Sequence, residues 1–321
     1  MNFFKDLKVD YQAGNKGLYN RRESEFKNQY WHQELSVSSV EKIQNNNIPS
    51  IGIIGYVCDA GVQRNQGRIG TRKGPKSIRN KLGKLPIHFE NKKIIDFGDV
   101  ICIDDYLEDC QKAMSKSISA LIKNTILPIA IGGGHDLAYA NFNGIKDALK
   151  NSSKNKIGII NFDAHFDLRA VKTQPNSGTP FNQILTENKT TTYFAIGIQQ
   201  QSNSKELFEI ANKNKVSYVS NFECETFNTV LKSKLSAFIK KVDYRYITID
   251  LDGFSSAFAP GVSAPSPLGF SPSFVYQVLI FLFKSKKVIS CDIAELNPDF
   301  DIDESTANLG ARLVDYIVQN I

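Results

Sequence analysis

The stretch KIGIINFDAHFD, residues 156–167, decides the fold. Its first half is an almost unbroken apolar and β-branched run. A strand covered on both faces has no need to alternate, and such strands belong to parallel sheets packed between helices. The second half turns at once to Asp163, His165 and Asp167. In extended backbone successive side chains point to opposite faces, so these three odd-numbered residues are expected on one side of a strand end.

Working outward, IGIIGYV at residues 51–57 reads the same way. Further strands are expected at Ile94–Phe97, Pro128–Ile131, Tyr193–Ile198, Val216–Val219, Tyr244–Leu251 and Val288–Ile293. Helical periodicity fills the gaps at about 75–83, 104–124, 136–150, 204–214, 225–241, 271–286 and 304–320. Parallel strands need crossovers long enough for a helix, so this alternation predicts a three-layer α/β/α sandwich on a mainly parallel sheet of about eight strands. Residues 1–48, polar and Asn-rich toward QNNNIPS, read as an extension packed on a single domain over 49–321.

Composition narrows the function. The chain has 321 residues, 41% hydrophobic and 22% charged, ordinary values for a folded globular protein. Its formal net charge of +6 is scattered among acidic residues, so no nucleic-acid arm is expected. The longest apolar run, Phe274–Phe283, is about half the ~20 residues that a membrane span needs. The opening MNFFKDLKVDYQAGNKG turns polar too early for a signal peptide. Five cysteines without CxxC spacing argue against both a zinc cluster and a disulfide framework, so cytoplasmic residence with free thiols is expected. Cys58, Cys102 and Cys291 read as buried small hydrophobes.

Ligands of open parallel sheets gather beyond the carboxyl ends of the strands. Four expected strands end in chemistry there: GGG before His135 and Asp136; Asp163, His165 and Asp167; Asp250 and Asp252; and Glu295. Four carboxylates and two imidazoles cannot converge without cations. Oxygen and nitrogen donors without thiolate favour a hard divalent metal such as manganese, and bridging carboxylates allow two ions about 3.5–4 Å apart. Taken singly, an Asp-x-Asp is usually a solvated turn or helix cap; the combination is what points to metal. His32 and His88 stand alone in polar sequence and read as surface residues.

At these residues the chain resembles the ureohydrolase family, the manganese enzymes that include arginase, agmatinase and formimidoylglutamase. The family's signatures appear in order as GGGHD at 132–136, DAHFD at 163–167, and DLDGF at 250–254 followed by Ala259-Pro260-Gly261. The resemblance covers about residues 50–320. It implies two Mn2+ per subunit, one held by His135, Asp163, Asp167 and Asp250, the other by Asp163, His165, Asp250 and Asp252. It further implies that Asp167 orients the attacking water and that Glu295 grips the substrate's planar cation, which suits a carboxylate taking two parallel hydrogen bonds. The family commonly assembles as trimers or hexamers, so a homo-oligomer is expected on that ground alone.

Loops decide the substrate. Arginases and agmatinases carry a proton-shuttling histidine four residues beyond a Ser-Gly pair, whereas this chain reads Ser177-Gly178-Thr179-Pro180-Phe181. A guanidine's departing amine must be protonated, so the loss argues against arginine and agmatine. The wording resembles the formimidoylglutamase branch, as does Gly61 to Arg68 (GVQRNQGR), which supplies Arg64 and Arg68. Arg169, two residues beyond Asp167, suits a substrate carboxylate, and Ser177 is expected to contact the substrate beside it. The resemblance therefore implies hydrolysis of the small molecule N-formimino-L-glutamate to L-glutamate and formamide, as in histidine breakdown. A guanidino acid such as guanidinobutyrate is the alternative substrate. A non-catalytic metal-stabilised subunit is disfavoured because all six ligands are present. A related zinc deacetylase is disfavoured because the sequence lacks a His-His pair. For Arg64 and Arg68 the reading as surface-loop arginines or subunit contacts stays open.

Overall fold

The computed structural model describes residues 3–21, 24–43 and 49–321. Its strands are β1 (Val9–Gln12), β2 (Ser36–Val37), β3 (Ser50–Val57), β4 (Lys93–Cys102), β5 (Ile126–Ile131), β6 (Ile157–Phe162), β7 (Thr192–Ile198), β8 (Ser217–Ser220), β9 (Tyr244–Asp250) and β10 (Val288–Ala294). They form one sheet in the order β1-β4-β3-β5-β10-β9-β6-β7-β8, with β2 also on β4. Every pairing is parallel except that of β1 with β4.

All eight expected strands are present, each displaced by a few residues at most except β4, which runs on to Cys102. The sheet has ten strands rather than about eight, because β1 and β2 from the N-terminal stretch line the outer edge of β4. They are short, β1 half exposed and β2 exposed at both residues, so neither carries the hydrophobic signature of a covered strand. The extension thus contributes to the sheet itself; its expected boundary near residue 48 falls in 44–48, outside the described residues.

Because side chains alternate along each strand, the sheet buries two separate cores. Ile53, Ile129, Ile160, Ile247 and Ile293 face helices Gly74–Leu82, Thr229–Ile239, Pro272–Phe283 and Ser305–Asn320. Ile54, Ala130, Ile159 and Tyr246 face helices Leu107–Lys123, Leu137–Ala148, Pro180–Glu187 and Lys205–Lys213. This is the three-layer sandwich. No helix among the described residues is long and apolar enough to cross a membrane.

The fold also delivers what the site needs. Strands β5, β10, β9 and β6 are neighbours at the centre of the sheet. Their registers pair Ile131 with Ile293, Ile293 with Ile249, and Ile249 with Phe162, so the four carboxyl ends stop level with one another.

Away from that edge, the fully buried Arg79 guanidinium bridges the sheet. It pairs Nε with Asp96 at 2.8 Å and Nη1 with Asp99 at 2.6 Å, and donates to the Gly98 carbonyl. Tyr19 Oη donates to the same Asp96 carboxylate at 2.9 Å, tying down the N-terminal stretch. Breaking a buried pair strands the remaining charge. Arg79→Ala should therefore cost about 3–5 kcal/mol in chemical denaturation, while Arg79→Ala combined with Asp96→Ala should recover part of that loss. Equal stability of the single variant and wild type would show that water reaches Asp96.

Candidate metal centre and substrate cavity

Each carboxyl end is shaped locally to present its ligands. After β5, Gly132 and Gly133 take positive φ of 91° and 67°. A Cβ on Gly133 would lie 2.7 Å from the Tyr56 carbonyl and 2.8 Å from that of Cys58, so only glycine lets the turn lie against β3. The turn is fastened by Tyr56 Oη, which donates to Asp136 at 2.7 Å, and it hands His135 to the sheet edge.

The two Asp-x-ligand motifs work differently from the alternation expected of extended backbone. Strand β6 stops at Phe162, and 163–167 are irregular, with Asp167 in the left-handed region at φ 48°. Asp163 Oδ1 instead accepts the N–H of His165 at 2.6 Å, and Asp250 Oδ1 accepts the N–H of Asp252 at 2.8 Å. In both motifs the first carboxylate closes a side-chain turn on the residue two further on. The spacing brings ligand pairs together by that turn and leaves the second carboxylate oxygen facing His135, that of Asp163 also accepting from Asn161 Nδ2 at 3.0 Å.

The six expected ligands converge. His135 Nδ1 lies 3.2 Å from Asp163, 2.9 Å from Asp167 and 3.1 Å from Asp250. His165 Nδ1 lies 3.4 Å from Asp163 and 3.2 Å from Asp252. Two ligand groups result, His135 with Asp163, Asp167 and Asp250, and Asp163 with His165 and Asp252. Asp163 belongs to both; Asp250 falls in the first only.

The chemistry of this donor set fits divalent cations. Burial alone would lower both imidazoles, yet the carboxylates, Asp250 for His135 and Asp252 for His165, hold them well above the usual histidine range. Burial and then Asp252 push Asp250 well up. Without a cation, protons have to balance the crowded carboxylates. Asp252 Oδ1 is buried with no hydrogen-bond partner, a vacancy that coordination would fill. On the far side of His135, Nε2 sits 2.8 Å from Thr248 Oγ1, so an Nε2–H donated to that hydroxyl leaves Nδ1 bare toward the site.

The ligands open onto a cavity of about 280 Å³ lined by His165, Asp167, Asp250, Asp252 and Glu295 together with Asn65, Ser177, Ser202, Asn203 and the exposed Arg169. Glu295 also has left-handed backbone, φ 67°. Its N–H donates to the Gly133 carbonyl at 2.9 Å, and its Oε1 accepts the His135 N–H at 2.8 Å. Its Oε2 is buried without a partner. Burial and the nearby Asp252 push this carboxyl up to about 8. Among Glu295 and the six ligands, Asp167 and Glu295 alone take left-handed backbone, the pattern of positions held in place by their surroundings.

Of the expected substrate contacts, Arg169 and Ser177 line this cavity; Arg64 does not. Arg64 pairs with Asp105 and Glu108, each at 2.8 Å, and donates to the carbonyls of Asp105 and Pro175. Its donors are consumed in bracing two loops. Arg68 is likewise spent on the carbonyls of Val262 and Ser263 and on the Phe300 ring. Asn65, between them, is the residue that sequence reasoning missed. Its Oδ1 accepts from Arg169 Nη1 at 2.6 Å and its Nδ2 donates to Ser177 Oγ at 3.0 Å. Phe181, fully buried, meets the His135 ring edge to face at 5.3 Å and stacks on Tyr193. Thr248 was missed as well, though a signal for it exists: it stands two residues before Asp250 on the same face of β9.

The profile of the arginase family matches residues 49–319. A formimidoylglutamase of Clostridium tetani is 38% identical over 98% of this chain and 97% of its own length, and one of Vibrio parahaemolyticus is 42% identical over 82% and 81%. The chain belongs to the arginase family. As a member it is a hydrolase of C–N bonds in linear amidines. The fold is shared with a formimidoylglutamase from Bacillus subtilis at TM-score 0.80 and 20% identity, covering 94% of this chain and 95% of that one. It is shared too with Trypanosoma cruzi formiminoglutamase crystallised with Mn2+2, at TM-score 0.77 and 24% identity, covering 87% and 95%.

The Thr248 contact generates a prediction. Thr248→Val keeps the shape but removes the acceptor that fixes the His135 tautomer. Its affinity for manganese should fall about 10- to 100-fold by calorimetric titration, with the circular dichroism spectrum unchanged. An unaltered affinity would mean that the tautomer is set elsewhere.

Proposed function

We propose that this arginase-family hydrolase cleaves N-formimino-L-glutamate to L-glutamate and formamide, using two manganese ions per chain. The observation that carries the substrate is a cavity with an acidic floor and a cationic mouth: Glu295 Oε2 free below, Arg169 above. The first ion would be held by His135, Asp163, Asp167 and Asp250, the second by Asp163, His165, Asp250 and Asp252. When bound, such a pair would supply Lewis acidity and would lower the pKa of the attacking water. The 37–42% identical relatives named formimidoylglutamase support the substrate, and the neighbour crystallised with Mn2+2 supports the metal. Buried free thiols fit a reducing cytoplasm.

The chain's own residues then divide the work. Glu295 Oε2 accepts an N–H of the formimino group, and the substrate's charge draws the raised carboxyl back to its ionised form. Asp167, aimed at His135 by its left-handed backbone, orients the attacking water and accepts its proton. That proton goes on to the departing glutamate nitrogen. Phe181, stacked and dry, offers no relay at the position where a histidine would stand, so Asp167 is the group in reach. At the mouth, Arg169 spends Nη1 on Asn65 and keeps Nη2 and Nε without a partner among the described residues. Ser177 Oγ accepts from Asn65, so its own hydrogen is left to donate. Together they present a fork and a hydroxyl to a carboxylate.

Elemental analysis of manganese-loaded protein should give two ions per chain. Asp252→Ala should lose mainly one and Asp250→Ala both; a stoichiometry below one with full activity in chelator would refute the metal reading. In a turnover screen, formiminoglutamate should far exceed arginine and agmatine. Arg169→Ala should lose roughly 2–5 kcal/mol of substrate pairing, about thirty-fold or more in kcat/KM, with manganese content intact. Arg169→Lys should rescue only in part. The discriminating quantity is the kcat/KM ratio between formiminoglutamate and a neutral amidine analogue. If Arg169→Ala leaves that ratio unchanged, Arg169 does not read the carboxylate.

A further inference from the structure

Three of the five cysteines gather where the sequence gives no warning. Cys58 follows β3 and Cys102 ends β4, and the register pairing Val57 with Ile101 sets the two cysteines side by side on the same face. Beyond Cys102 the chain reverses through Asp104, at φ 46°, and enters helix Leu107–Lys123, whose inner face presents Cys110. The three Sγ atoms lie within 4.8 Å of one another. A metal–sulfur bond of about 2.3 Å places three sulfurs about 4 Å apart around one ion. The thiols are thus within a small side-chain adjustment of a coordination shell.

Their surroundings favour a cation. Cys58 and Cys110 are fully buried, and Cys102 is 4% exposed beneath the exposed turn 103–106, which leaves an approach from that side. The carbonyl oxygens of Ile103 and Asp104 stand 3.9 and 3.8 Å from Cys102 Sγ. Hydrogen bonds from Cys110 and Cys58 hold the Cys102 thiol below the usual range, while burial pushes Cys110 well up. An entering ion displaces thiol protons to solvent as the sulfurs coordinate. No histidine or carboxylate belongs to the group.

We propose that Cys58, Cys102 and Cys110 form a second metal site, a three-sulfur site for a soft monovalent cation of the Cu(I) type. Soft thiolates select Cu(I) or zinc over manganese; a buried structural zinc takes four protein ligands where this group has three, whereas Cu(I) is satisfied by three sulfurs. The site is separate from the carboxylate centre but touches its support. The Cys58 carbonyl accepts the Gly134 N–H at 3.2 Å, next to His135, so an ion on Cys58 stiffens the strand end on which the glycine turn rests. The inference stands apart from the substrate assignment.

The test uses full-length, reduced, manganese-loaded protein, titrated without oxygen with Cu(I) against a chromogenic Cu(I) chelator. One copper per chain should be retained, with manganese content and formiminoglutamate turnover recorded alongside. X-ray absorption at the copper edge should show three sulfur neighbours and no oxygen or nitrogen. Cys102→Ser and Cys110→Ser should each weaken retention at least ten-fold, whereas Cys224→Ser and Cys291→Ser, outside the cluster, should not. If a serine variant fails to fold, the wild-type absorption spectrum still decides. Failure to compete with the chelator, an oxygen or nitrogen shell, equal loss in Cys224→Ser, or preference for four-coordinate zinc would each overturn the proposal.

Discussion

Everything at the functional edge of this protein follows from one electrostatic constraint: four aspartates and two histidines occupy a volume too small for their charge. Protons can balance it only by holding imidazoles protonated and carboxyls neutral, and divalent cations balance it with coordination. The polar atoms left bare, Asp252 Oδ1 and Glu295 Oε2, are tolerable because they face that volume. The left-handed backbone at Asp167 and Glu295, and the glycines that let the His135 turn lie against β3, are the conformational cost of aiming these groups.

A second layer holds the first in place. Thr248 addresses the rear of His135, Phe181 its ring face, and Glu295 its backbone N–H. Farther out, Asn65 couples Arg169 to Ser177, so the mouth of the cavity is set as one unit. Arg64 and Arg68, though adjacent to Asn65, serve the loops that carry it. Of the three, Asn65 lines the cavity and the two arginines do not.

The same economy appears on the other side of the fold. The Arg79 cluster locks Tyr19, Asp96 and Asp99 at the outer strands, which lets the short β1 and β2 seal the edge of β4 despite their weak hydrophobic content. The thiol cluster lies between the ends of β3 and β4 and the helix Leu107–Lys123.

The sequence by itself determined the layered architecture, because a strand covered on both faces must be apolar throughout and a parallel crossover must be long; KIGIINF and IGIIGYV satisfy both locally. It also placed six candidate ligands, because acids and imidazoles stand at the ends of strands that the sheet sets side by side, and the structure brings these six together. It did not determine how Asp163 reaches His165 or Asp250 reaches Asp252. Alternation along a strand and a side-chain turn share the same two-residue spacing, and only the structure shows the turn. Nor did it reveal Asn65 and the three-cysteine cluster, whose members are brought together by elements distant in sequence. Strand order belongs to the tertiary structure for the same reason. That β5, β10, β9 and β6 lie side by side depends on which crossovers bury the most surface together, a property of the whole sheet that no single strand encodes.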